Sequence, residues 1–243
     1  TVALETAVEY HRSARLGALP PFYGGQDRRF VEALVMPLDA ERVAALFRRR
    51  RAGETAEAIA STAVPGALLD ASAISAIARA PGMGAALRPL VDREIISREE
   101  AIQIVAAEAS EAGSAKVESL LQSAVDRARW ERVDVRGGEA EAMRRLLRYE
   151  REAREATIIE LNEAGPTIAT VLERTTRLAT LDALAALGRR DPLGIGAVAG
   201  YVSAVEAQAI RLRAMIARVR ARWSAEETAP YLARNERPTW LEW

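Results

Sequence analysis

Apolar residues recur at spacings of three and four along nearly the whole chain, the period that lines one face of an α-helix. The clearest run is Ile195, Val198, Val202, Val205, Ala209, Leu212, Ile216 and Val219. Its steps alternate between three and four for about 3.5 heptads, which predicts a seam packed against other helices of the same chain. Asp191 stands before the run as an N-cap, and Pro192 as a first helical residue, where a missing N–H breaks no helical bond. The predicted helix covers 192–220. Near its start Gly196 and Gly200 form a small-xxx-small pair through which another backbone can come close.

The same reading predicts helices near 98–108, 114–134, 139–162, 167–176, 178–188 and 225–232. Two of them open on capping boxes, Ser97-Arg98-Glu99-Glu100 and Ser224-Ala225-Glu226-Glu227. The stretch 114–134 carries Val117, Leu120, Leu121, Ala124 and Ala128 on one side, and 139–162 carries Met143, Leu146, Leu147, Ile158 and Leu161. Between Asp27 and Arg51 the helical pattern lies on both sides of Pro37, which is expected to end or kink the first part at Met36. Pro20-Pro21, Gly24-Gly25, Pro65-Gly66 and Pro81-Gly82 punctuate the N-terminal half. No stretch of useful length alternates with period two, so the predicted fold class is all-α.

Composition strengthens that reading and narrows the chemistry. The 243 residues, enough for one large domain or two small ones, include 50 Ala, and aromatics are 5%. That mixture favours helix over strand. There is no Cys, which removes disulfides, thiolate metal sites and thiol nucleophiles. The sole His, His11, lies in a polar stretch and cannot supply a His cage, a Ser–His–Asp triad or the paired Glu-x-x-His motifs of a di-iron bundle. The chain has no Asp-rich diphosphate cluster and no Gly-x-x-x-x-Gly-Lys-Ser/Thr loop. Catalytic, cofactor-binding and metal-ligating residues are therefore all expected to be absent, and Glu99-Glu100 and Glu226-Glu227 read as helix-start carboxylates.

Thirty-four basic residues balance 34 acidic ones, so nothing global points to nucleic acid or an anionic bilayer. Lys116 is the only lysine, and arginine makes planar, bidentate contacts to carboxylates that suit protein–protein recognition. The run Arg48-Arg49-Arg50-Arg51 closes a helix, where cations suit the dipole, or forms a patch for acidic groups of a partner. The longest apolar run, Leu193–Val205, is shorter than the ~20 residues that span a bilayer. No leader pattern is present, and a cytoplasmic location is expected.

A faint internal repeat accompanies these patterns. Asp39-Ala40-Glu41-Arg42-Val43, Glu152-Ala153-Arg154-Glu155-Ala156 and Glu206-Ala207-Gln208-Ala209-Ile210 each place an acid and Ala before an inward apolar position.

The stretch from Asp191-Pro192-Leu193-Gly194 through Gly196, Gly200, Tyr201 and Glu206 to Ile210-Arg211-Leu212-Arg213 resembles the last long helix of the V-ATPase d subunit family, which includes the equivalent central-stalk protein of bacterial and archaeal V/A-type ATP synthases. Leu38 to Arg48 is similar to that family's Asp-x-x-Asn-Leu helix, and Glu152 to Glu160 to its second occurrence. Where the family has Asn, this chain has Arg42 and Glu155. The resemblance implies a funnel of three similar helical modules, at 1–80, 81–188 and 189–243. Members are usually longer, so the first module is expected to be incomplete. It also implies a non-catalytic, cofactor-free central-stalk socket, peripheral to the membrane on its cytoplasmic side. Such a socket couples the central shaft to the rotor ring of an ion-translocating complex and binds no nucleotide. Arg211, Arg213, Arg218 and Arg48, Arg49, Arg50 and Arg51 are the candidate partner contacts. Asp191, Pro192, Gly196, Gly200, Tyr201 and Glu206 are the candidate structural residues. The pattern alone also admits a cytoplasmic helical scaffold or adaptor unrelated to rotary ATPases.

Overall fold

The computed structural model describes residues 2–108, 113–135, 137–164, 180–222, 224 and 226. Among them every regular element is helical, as the periodicity requires. In chain order they are α1 (Val2–Gly17), α2 (Gly25–Arg51), α3 (Ala56–Thr62), α4 (Ala71–Arg79), α5 (Met83–Val91), α6 (Arg98–Glu108), α7 (Gly113–Val133), α8 (Gly138–Ala164), α9 (180–190) and α10 (Ile195–Ala221). The expected helix at 167–176 and, apart from residue 226, the one at 225–232 lie outside the described residues. The chain divides into two compact units, one of Val2 and Thr6–Arg132 and one of Ala3–Glu5 with the residues from Val133 onward.

In the N-terminal unit α2 is the axis. Phe30, Val31, Met36, Leu38, Val43, Leu46 and Phe47 are buried along it. Its core continues through Ile74 and Ile77 of α4, Leu87 and Leu90 of α5, Ile104 of α6, and Val117, Leu121 and Val125 of α7. Short helices fill the interval between the Pro-Gly breaks. Thr55 caps α3 by accepting the Ala58 N–H, and Asp70 caps α4 by accepting the Ala73 N–H at 2.8 Å. The Ser97 capping box forms as expected: Glu100 accepts the Ser97 N–H at 2.7 Å, and Ser97 accepts the Glu100 N–H at 3.1 Å.

Pro37 does not divide α2, which runs as one element of 27 residues. A proline removes the N–H that would bond the carbonyl four residues back, here that of Ala33. Arg129 of α7 replaces the donor: its Nε bonds the Ala33 oxygen at 2.7 Å, and its side chain is buried. The element survives because a distant guanidinium satisfies the acceptor that proline orphans.

In the C-terminal unit α8, α9 and α10 bury Met143, Leu146, Leu147, Leu181, Leu184, Ile195, Val198, Val202, Val205 and Ala209. Ile158 and Leu161 lie outside the described side chains. The long helix begins at Ile195, three residues later than its predicted start, with Gly194 as its N-cap residue. Pro192 is exposed in the preceding turn rather than in the first helical position. The seam also closes early. Leu212 and Ile216 are half-buried, and Val219 is 80% exposed, so the internal seam spans Ile195 to Ala209 rather than the whole run.

Replacing Arg129 by Met should lower stability by about 2 kcal/mol, the cost of leaving a buried carbonyl without a donor. In the Pro37→Ala background, where residue 37 regains its N–H, the same replacement should cost measurably less. Equal losses in the two backgrounds, by chemical denaturation, would separate Arg129 from Pro37.

Candidate functional site: a capped turn and three buried carboxylates

Asp191, Gly194 and Gly196 come together at the turn before α10. Asp191 accepts the Gly194 N–H at 3.0 Å and the Gly196 N–H at 3.2 Å, so it caps the helix from within the turn rather than from the adjacent position. Glu139 of α8 accepts the Ile195 N–H at 3.2 Å. Two carboxylates thus meet the unpaired amides and the positive end of the helix dipole. Beyond the turn α9 and α10 approach backbone to backbone. A Cβ on Gly188 would lie 2.8 Å from the Gly200 Cα and 3.1 Å from the Gly196 oxygen. One on Gly196 would lie 2.6 Å from the Leu187 oxygen. Ser203 extends the contact, donating to the Leu181 oxygen at 2.8 Å. Gly188 and Gly196 therefore leave no room for a side chain, whereas a Cβ on Gly200 would meet the Gly188 Cα at an ordinary 3.4 Å. Gly188 belongs to the contact as well, which the spacing does not reveal; its sequence signal is a Gly at the end of the expected helix 178–188, just before the turn.

Three acids are buried among the described residues, Asp39, Glu150 and Glu206, and each lies midway along one long helix. Those helices, α2, α8 and α10, each contain 27 residues. Asp39 and Glu206 are the acids of the repeat segments. In the middle segment the buried acid is Glu150, while Glu152 is exposed. The period-3.6 pattern around Met143, Leu146 and Leu147 puts position 150 on their face, which is the signal that finds it.

Asp39 is fully buried. Its Oδ1 accepts the Leu69 N–H at 2.8 Å and the Leu68 N–H at 3.1 Å, and its Oδ2 is 3.0 Å from the Leu68 nitrogen. The carboxylate therefore holds the chain between α3 and α4 onto α2. Ser13 donates to the Pro65 oxygen at 2.6 Å, Arg42 Nε to the same oxygen at 3.3 Å, and Arg93 Nε to the Leu68 oxygen at 3.0 Å. Arg42 also pairs with Glu9, and Arg12 pairs with Glu41 at 2.7 Å. Gly66 leaves no room for a side chain, because a Cβ there would overlap the Asp39 carboxylate. Burial raises the Asp39 pKa to about 6, against the opposing pull of the Leu69, Leu68 and Ala67 amides and the Arg42 charge.

The candidate partner arginines divide. Arg48 pairs with Glu118 at 2.7 Å, Arg49 forks onto Glu54 and reaches Thr62, and Arg51 donates to the Gly113 oxygen. These three tie the end of α2 to neighbouring helices of its own unit. Arg211 and Arg213 are half-buried, and the Arg211 Nε is enclosed without a hydrogen-bond partner among the described residues. Burial lowers the Arg213 pKa, while the Glu5 charge opposes the shift. Arg218 is exposed. Tyr201 is half-buried in α10.

A cavity of about 640 Å³ opens beside α2 and α7, lined by Arg29, Glu32, Glu94, Ser97, Arg127 and Arg132. Its basic groups face internal acceptors. Arg127 forks onto Glu100 and pairs with Glu131, Arg132 reaches Glu32 at 3.3 Å, and Arg29 donates to the Glu131 oxygen. Burial raises the Glu100 pKa, but the bonds from Arg127 and Ser97 outweigh it and leave Glu100 below its usual value. Among the described residues no group of acids and histidine is placed to hold a metal ion. None of the described helices is long and apolar enough to cross a membrane. No protein-family model, curated protein or solved structure matches the chain.

Asp39→Ala should destabilise the protein by about 2–3 kcal/mol, since it strips the acceptor from buried amides. The Asp39 pKa is higher folded than unfolded, so the folded state holds more protons between the two values and gains stability as pH falls. The margin of wild type over Asp39→Ala should therefore widen by about 1 kcal/mol between pH 7 and pH 5. Denaturant midpoints of both proteins at the two pH values check this, and a margin that narrows on acidification would refute it.

Proposed function

We propose that this chain is a non-catalytic central-stalk socket of a V/A-type rotary ATPase or ATP synthase, coupling the central shaft to the membrane rotor ring. The observation that carries the reading is the threefold recurrence of one device: a 27-residue helix that encloses one carboxylate near its middle. Each of the three expected modules, 1–80, 81–188 and 189–243, contains one such helix. Between Asp191 and Gly200, where the family resemblance is strongest, Asp191 caps the helix and Gly196 allows close packing. Keeping a shape, rather than running a reaction, gives those residue types a purpose.

The rest of the chain suits the task. A torque-bearing socket needs stiff helices fixed by buried polar contacts and close backbone packing, and Asp39, Arg129 and the Gly188–Gly196 contact supply such restraints. In this reading the protein lies against the cytoplasmic face of the membrane through the ring. The funnel arrangement of the modules belongs to the same proposal.

Mixed with purified shaft subunits of its own complex, the chain should elute with them as one species in size-exclusion chromatography. Calorimetry should detect no ATP binding in the micromolar range. Separate elution, or micromolar ATP binding, would contradict the proposal.

A further inference from the structure

Past Ala209, where the internal seam closes, α10 keeps an apolar row open to solvent. Leu212, Met215 and Val219 follow at i, i+3 and i+7, so they share one side of the helix. Met215 is 52% exposed and Val219 80%, while Leu212 and Ile216 are half-buried. A second row runs beside the first. Arg211, Arg218 and Arg222, at steps of seven and four, lie on the side of the helix opposite the Ile195–Ala209 seam. Arg218 and Arg222 are exposed, and neither has an ion-pair partner among the described residues. The even charge of the whole chain conceals a local excess here. From Ala207 to Ala225 the sequence holds five arginines and no acid. Glu5 meets the other flank, 3.5 Å from Arg220, and its charge also acts on Arg213.

We propose that the Arg211–Arg222 end of α10 lies along an anionic lipid surface, with Met215 and Val219 dipping into the acyl boundary and Arg211, Arg218 and Arg222 meeting lipid phosphates. Charge and shape together select this occupant. An anionic leaflet is acidic at its headgroups and apolar just beneath, and a helix lying flat meets it with a basic row beside an apolar one. Five arginines fall within the cluster of about 4–8 basic residues by which an amphipathic helix recognises such a leaflet. A nucleic acid would engage the arginines through its phosphates and gain nothing from Val219. The inference goes beyond the socket reading and is tested without shaft or ring, so either can fail alone.

The test floats the full chain with vesicles of phosphatidylcholine alone or enriched in phosphatidylglycerol, at physiological ionic strength. The chain should rise with the phosphatidylglycerol-rich vesicles and partition at least about tenfold less onto phosphatidylcholine. Arg218→Gln with Arg222→Gln should weaken partition roughly thirtyfold, at about a factor of five for each basic residue near the surface. Val219→Asp should weaken it roughly tenfold by removing the inserted side chain. These side chains are exposed, so circular dichroism and melting temperature should match wild type, and Val219→Ser serves as a milder variant. The chain has no cysteine, so Val219→Cys accepts a single polarity-sensitive dye. Its emission should shift to the blue on phosphatidylglycerol-rich vesicles. The same dye on Leu193→Cys, a site 98% exposed at the far end of α10, should not shift. Equal partition onto both vesicle types, binding unaffected by the substitutions, or equal dye responses at the two sites would overturn the proposal. A Val219-dependent dimer, or capture by heparin or by the shaft with no vesicle binding, would overturn it too.

Discussion

A carboxylate enclosed in a helical unit must be matched by donors, and much of the N-terminal unit is arranged around one such match. Asp39 sits on the inner face of α2 and gathers the Leu68 and Leu69 amides from the far side of α3. Holding those amides fixes where α4 starts, and α4 carries Ile74 and Ile77 into the core. Aliphatic burial supplies most of the stabilisation in such a core but no unique direction. The buried acid supplies direction, since a slipped register would leave two amides and a carboxylate without partners. Burial raises its pKa to about 6, which records what it costs to keep the charge there.

The alanine-rich composition sets a second constraint. Alanine faces bring helices close, and where two helices come closest even a methyl group is too large. Gly188 and Gly196 occupy that place between α9 and α10. Arginine appears in the complementary role, reaching across to carbonyls and carboxylates that the small side chains cannot. Arg129 on Ala33 and Arg132 on the Glu94 and Arg93 oxygens are of this kind. Extensive use of arginine therefore follows partly from how this chain completes its own hydrogen bonds.

What is legible in the sequence is what acts locally. Helix period and capping chemistry depend on residues three or four apart, so α6, α7, α8 and the Ser97 box can be read directly, and α10 to within a few residues. Pro37 defeats the local rule because the donor that rescues Ala33 comes from 96 residues away. Asp191 falls outside the simplest capping rule because an aspartate can cap from within a turn as well as from the position next to the helix. Val219 looks internal in the pattern because periodicity shows which face is apolar, not how far along the helix a neighbour extends. The partners of Asp39 lie 29 and 30 residues on, and no spacing rule reaches them. The turn bearing Leu193 is visible as a motif, but its exposure is not, since it depends on what folding leaves uncovered.

The proposed role, a socket that joins shaft to ring, carries one function that no scaffold or adaptor shares: without it, rotation and ion movement come apart. The decisive measurement is ATP-driven ion pumping by the reconstituted rotary complex in vesicles, assembled with and without this chain. The account predicts that without the chain ATP hydrolysis continues while pumping is lost, and that adding the purified chain restores pumping. Full pumping in its absence, or no recovery on its addition, would contradict it.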